Sequence, residues 1–186
     1  MTARDLYRVI LEQADHFDWT LQGLGMLRTY LNKSVRMHVW STAYAYEGVT
    51  RIHDHPWDFK SEIISGTMIN YLYKSAPGAL PFMRQSVKCG LDGRAMNEPD
   101  RVELYCYSAK TYRVGETYKQ LAHEIHESEP SDGAVTLCER SLPPGADPDL
   151  AHVFYPNGVN WVSARPRAAT AKEVREITRK ALAVWQ

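Results

Sequence analysis

A chain of 186 residues, 44% hydrophobic and 24% charged, has the composition of one globular domain and is long enough to bury a core without staples. Its 22 basic and 22 acidic side chains cancel, so nothing in the balance calls for nucleic acid or an anionic membrane as partner, although a local basic pocket is compatible with it. No window reaches the apolar length of a membrane span, and Met1-Thr2-Ala3-Arg4-Asp5-Leu6 lacks the apolar core of a signal peptide, which points to a cytoplasmic protein. Cys89, Cys106 and Cys138 are odd in number and contain no Cys-x-x-Cys, so reduced, mostly structural thiols are expected.

In chain order, Leu6, Val9, Ile10 and Gln13 fall at helical spacing and predict an amphipathic helix over residues 3–15, with Thr2 as a cap. Residues 20–31 are ambiguous: Gly23 and Gly25 weaken a helix, and the Leu27–Leu31 end reads equally as strand. Asn32-Lys33 turns into a strand over 34–40, and Phe59–Tyr71 alternates about Gly66 as a strand, a tight turn and a returning strand. Residues 75–81 read as a loop, 82–89 as a strand, and Gly90–Arg101, rich in Gly, Asp, Asn and Pro, as a surface loop. Further strands are expected over Val102–Tyr107, Thr117–His126 and Ala134–Arg140, with a loop at Pro143–Pro148. Thr170-x-x-Glu173 ahead of Val174, Ile177, Ala181 and Leu182 predicts a capped C-terminal helix. Nothing divides the chain, so residues 1–186 form one domain with a β-rich core over about 34–165.

The chemistry concentrates in Arg51-Ile52-His53-Asp54-His55-Pro56-Trp57-Asp58-Phe59. An extended backbone puts His53 and His55 on one face and Asp54 on the other, which is half of a metal site. A second histidine pair stands at His123 and His126; an odd separation sends the two to opposite faces of a regular strand, so only one can join, and the residues alone leave both open. Asp58 or Glu62 could add an oxygen ligand if the strand is bulged. His16, His38 and His152 are expected to be hydrogen-bonded or surface residues.

A His-x-His strand feeding a hairpin resembles the first metal motif of the cupins, and Ile52-His53-Asp54-His55 together with Ala122-His123-Glu124-Ile125-His126 through Ala134-Val135-Thr136-Leu137 resembles the two metal strands of the cysteine dioxygenase, or thiol dioxygenase, family over roughly residues 26–140. The resemblance implies an all-β cupin double-stranded β-helix, a jelly roll barrel with flanking N- and C-terminal helices. By its register the metal ligands are His53, His55 and His123, with His126 left out. It implies iron(II), although zinc, nickel, copper and manganese also suit imidazole ligands. Arg28 falls near the family's carboxylate-binding arginine, Arg51 shares strand parity with His53 and His55, and Tyr118 and Trp57 are placed to wall the site. Where the family carries Ser-x-His-x-Tyr, this chain has Thr136, Cys138 and Arg140, so cysteine is a doubtful substrate and Arg140 adds positive charge instead.

The expected function is therefore a mononuclear non-haem iron(II) dioxygenase, its partners being dioxygen and a small carboxylate- or thiol-bearing substrate, with Arg28, Arg51, Tyr118 and Arg140 as substrate-binding candidates. A redox-neutral isomerase, epimerase or lyase, and a non-catalytic cupin that binds a metal or small ligand, are the alternatives. A homodimer formed through an exposed sheet is compatible with the fold class.

Overall fold

The alternation of apolar and polar residues resolves into two antiparallel sheets and two helices in the computed structural model, which describes residues 3–89 and 94–185. The strands are β1 (Thr20–Gln22), β2 (Leu24–Tyr30), β3 (Val35–Ala45), β4 (Ile52–His53), β5 (Asp58–Ser65), β6 (Thr67–Lys88), β7 (Asp100–Arg113), β8 (Thr117–Gln120), β9 (Ile125–Pro130), β10 (Val135–Ser141), β11 (Leu150–Pro156) and β12 (Arg167–Ala168); the helices are α1 (Ala3–Glu12) and α2 (Ala171–Ala183). One sheet runs β12-β1-β2-β3-β10-β5-β8 and the other β11-β4-β9-β6-β7, with β11 also pairing the far half of β6. Among the described residues no helix is long and apolar enough to cross a membrane.

Strand parity gives the seven-stranded sheet two different faces. Leu27, Met37, Val39, Val135 and Leu137 point one way, into a core closed by Leu11 of α1 and by Val174, Ile177 and Ala181 of α2. The residues between them, Met26, Trp40 and Cys138 together with Phe59, Ile63 and Tyr118, point the other way, where Met68 of β6 completes a second core. Helices therefore cover the outside of this sheet, and the second sheet faces its inside. The β5–β6 hairpin turns at Gly66 as the sequence predicts: its φ of +76° suits glycine, and a Cβ there would stand 2.6 Å from Ser131 Oγ. Helix α2 begins with the expected capping box, in which the Thr170 hydroxyl accepts from the Glu173 amide and the Glu173 carboxylate accepts from the Thr170 amide.

Several expectations are corrected. The first helix ends at Glu12, and Ala14–His16 form a separate 3-10 turn that Trp19 pins by donating to the Ala14 carbonyl at 2.9 Å. The proposed Thr2 cap lies outside the described residues, as do residues 90–93 of the Gly90–Arg101 loop. The ambiguous residues 20–31 are strands β1 and β2, because they pair with one another and with β3. Residues 75–81 do not separate two strands: Ser75 and Leu80 both oppose Leu104, so residues 76–79 bulge out of one long ribbon. Thr117–His126 is not one strand, since β8 stops at Gln120 and β9 starts at Ile125. The β-structure reaches beyond 34–165 at both ends, from Thr20 to Ala168.

Ile177 is 1% exposed at the junction of α2 with the seven-stranded sheet. Ile177→Ala is expected to lower unfolding free energy by about 2–5 kcal/mol, and Thr170→Ala by about 1 kcal/mol, in urea titrations with unchanged slope.

Candidate metal centre

His53 and His126 lie opposite each other in the β4–β9 ladder, and His55 follows two residues along the same face. Their rings crowd together, with centroids 4.6 Å apart for His53–His55, 4.5 Å for His53–His126 and 5.3 Å for His55–His126. The His53 and His55 Nε2 atoms are 3.2 Å apart, and one ligand atom from each of the three rings lies within 4.8 Å of the others.

The far side of two of these rings is held. His53 Nδ1 donates to the Arg51 carbonyl at 2.7 Å, and His126 Nδ1 donates to Asn70 Oδ1 at 3.2 Å. Asn70 donates in turn to Gln120 Oε1, and Gln120 to Glu124. With their Nδ1 protons so engaged, His53 and His126 turn Nε2 lone pairs toward the centre. His126 is 2% exposed, and its Nε2 has no hydrogen-bond partner. Burial holds the imidazoles of His55 and His126 well below the usual histidine range, and neighbouring imidazoles push in the same direction; burial also lowers His53. His55 Nε2 can donate to the His53 Nε2 lone pair, but the buried His126 Nε2 beside them is left without a donor, a position that a cation would fill. Two imidazole nitrogens bound side by side to one ion at about 2.1 Å would be roughly 3.0–3.4 Å apart, which the His53–His55 separation matches. The residues fit a metal.

His123, the third ligand by the thiol dioxygenase register, is not part of this group; it stands with Asp54 and His152 in a second cluster of possible ligand atoms. It sits in the turn between β8 and β9 with φ of +59°, its amide donating to the His55 carbonyl at 2.7 Å. Its ring points to Asp54, on the reverse face of the His-x-His segment, with Nδ1 3.4 Å from Asp54 Oδ2. Asp54 is buried and also accepts from His152, through Nδ1 at 2.7 Å and through the backbone amide at 2.6 Å. This network fastens the His-x-His segment to β11. Asp58 and Glu62 do not join the imidazoles: Asp58 accepts from the Ala122 amide at 2.7 Å, and Glu62 alternates outward between Ser61 and Ile63.

The centre opens into a cavity of about 410 Å³ between the sheets. Phe59 and Trp57 wall it, Trp57 stacked on His55 at 5.1 Å and 14°. Tyr118 packs against Phe59 and Tyr112, and burial pushes its phenol up to about 12, so it is a proton donor at neutral pH. Across the cavity stand Arg28 and Arg140, both anticipated, and Arg36, which was missed. Its signal was present in the strand Val35–Trp40, where Arg36, His38 and Trp40 alternate with Met37 and Val39. Arg51 is exposed at the rim; the contact it makes with the centre is through its carbonyl oxygen, not its guanidinium. His16 is exposed, whereas His38 is buried on the cavity wall.

No protein-family model and no curated protein matches this chain. Among solved structures it is aligned with the N-terminal xylanase 10B modules of Clostridium thermocellum, a CBM22-1 domain with a GH10 module in complex with xylohexaose, at 9% identity and a TM-score of 0.14, over 78% of this chain and 26% of that one. A second alignment is with the CBM22-1 xylan-binding domain of Paenibacillus barcinonensis Xyn10C, at 14% identity and a TM-score of 0.12, over 83% of this chain and 97% of that one. Superpositions this poor carry no argument about fold or ligand.

The two histidines of the second pair separate the arrangements cleanly. Elemental analysis after loading with iron(II) or zinc is expected to find about one equivalent in the wild type and in His123→Ala, and none in His126→Ala. Asn70→Ala should weaken metal binding by about 10- to 100-fold, because His126 loses the acceptor that orients it.

Proposed function

We propose that this chain is a cupin-type jelly roll in which His53, His55 and His126 hold one iron(II), and that it catalyses the reaction of dioxygen with a small anionic substrate bound in the cavity between the sheets. The observation that supports this most directly is the buried, unpartnered Nε2 of His126 beside the facing Nε2 atoms of His53 and His55. When bound, the ion would supply open coordination positions and a redox-active centre for dioxygen and a substrate donor atom.

The protein's own part is positioning, charge and exclusion of water. Three neutral imidazoles leave the charge of a divalent ion uncompensated, which favours an anionic ligand beside it. Arg28 and Arg140 offer guanidinium forks to a substrate acid across the cavity. Phe59 and Trp57 cover the rings of His55 and His126 and keep water from them. Tyr118, held protonated, can donate a hydrogen bond to a developing negative charge but cannot serve as a base near neutrality.

Cysteine fits this cavity poorly as the substrate. Cys138 is 4% exposed and stands 3.8 Å from Arg36 Nη2, where the thiol dioxygenases it resembles carry a relay histidine; Arg140 occupies their tyrosine position. No imidazole or phenol from β10 is available to orient a thiol and an amine at the centre. A larger acid that reaches both the histidines and the arginines suits the residues better.

Iron-reconstituted protein should consume dioxygen with at least one member of a panel of thiols, amino acids and small di- and tri-acids, and His126→Ala should abolish that consumption while His123→Ala retains it. Absence of uptake with every compound in the panel would remove the oxygenase reading.

A further inference from the structure

Arg28, Arg36 and Arg140 come from three adjacent strands of the seven-stranded sheet and meet over the same aromatic surface. Their guanidinium carbons lie 5.6, 5.9 and 5.5 Å from the Tyr30 ring centre, and Arg36 and Arg140 also lie 5.6 and 5.1 Å from that of Trp57. Arg28 is 9% exposed and Arg36 5%. Among the described residues no carboxylate pairs with any of the three; Arg28 Nε donates to Thr20 Oγ1 at 3.3 Å, and Arg36 reaches the Cys138 sulfur through Nη2 and hydrogen-bonds the Tyr30 phenol. Buried cations are costly when unpaired, and folded proteins rarely retain them without a compensating charge. The strain is visible in Arg28, whose guanidinium burial and the nearby Arg36 and Arg140 charges bring down to about 10.

Three further polar atoms on the same walls are buried without partners: Arg36 Nε, Trp57 Nε1 and His38 Nε2. Arg36 Nε and Trp57 Nε1 can only donate. Donors and positive charge thus face one space, where the protein offers them the Tyr30 phenol and the Cys138 sulfur but no paired carboxylate. A single carboxylate would be satisfied by one guanidinium fork and would leave most of this charge uncompensated.

We infer that the three-arginine end of the cavity binds a doubly charged tetrahedral oxyanion, a phosphate or phosphonate group carried by the substrate, whose oxygens accept from Arg28, Arg36, Arg140 and the Trp57 indole. The inference rests on the reading of this cavity as a substrate site and narrows its ligand. Trp57 stacks on the His55 ring and lies 5.6 and 5.1 Å from the Arg36 and Arg140 guanidinium carbons, so one indole bridges the distance between the imidazole centre and the arginine cluster. A small molecule with a metal-binding head and a phosphoryl tail spans that distance.

The test uses the full chain, freed of metal with a chelator, so that iron binding and anion binding are scored separately; iron uptake by the imidazoles can fail while anion binding succeeds, and the reverse. Inorganic phosphate and acetate are titrated by calorimetry and by Trp fluorescence. Phosphate is expected to bind at least about tenfold more tightly than acetate, and Arg140→Gln and Arg36→Met each to weaken phosphate by about tenfold or more while leaving acetate nearly unchanged. Without phosphate, Arg36→Met should melt higher than the wild type by roughly 3 °C or more, because an uncompensated buried charge has been replaced by an apolar chain of similar reach. Equal affinity for phosphate and acetate, or phosphate affinity within about twofold of wild type in both variants, would overturn the assignment.

Discussion

Polarity without a partner, enclosed between two sheets, is the constraint on which the rest of this molecule depends. On one wall three imidazoles crowd about the unpartnered His126 Nε2; on the other stand three guanidinium groups that no described carboxylate pairs. Either arrangement alone would work against folding, since buried polar groups are normally satisfied and buried charges normally paired. Both persist because the surrounding structure fixes them: the Asn70–Gln120–Glu124 chain behind His126, the Arg51 carbonyl behind His53, and the Asp54 network behind the His-x-His segment. The helix-covered core on the outside of the seven-stranded sheet, with the smaller core about Met68 beside the cavity, supplies the burial that offsets them.

Much of this was legible in the amino-acid sequence where local pattern and backbone geometry agree. His53 and His55 share a face because strand parity requires it, Gly66 turns the hairpin because only glycine fits there, and the Thr170–Glu173 box opens the last helix because its two side chains satisfy each other's amides. Which of His123 and His126 stands beside them was not legible. Parity along an unbroken strand predicts that His123 and His126 face opposite ways but is silent on which faces the pair, and the strand is in fact broken between them. Glu124 accepts from the Leu121 amide and stabilises that turn, which sends His123 to Asp54 and leaves His126 in register with His53.

Long-range assembly hid the remaining features. Pro77-Gly78 carries the chemistry of a loop and forms one, but as a bulge within a ribbon whose two halves pair with different neighbours, β9 and β11. Arg36 looks like any surface cation in a short polar-apolar alternation; that it is buried beside Arg28 and Arg140 follows from the pairing of β3 with both β2 and β10, which no local window contains. Position on a sheet decides its role, and sheet order is a property of the whole chain.

The alternation along β3 and β10 also has a consequence for how such a protein can change over time. Met37, Val39, Val135 and Leu137 serve the helices, while Arg36, His38, Thr136 and Cys138 face the cavity, on the same two strands. Substitutions on one face leave the other intact, so ligand preference can drift while the scaffold stays. Gain or loss of a single residue within either strand would exchange the two sets, driving guanidinium and imidazole into the packing against the helices and apolar side chains into the pocket. These strands can therefore diverge in spelling but not in length.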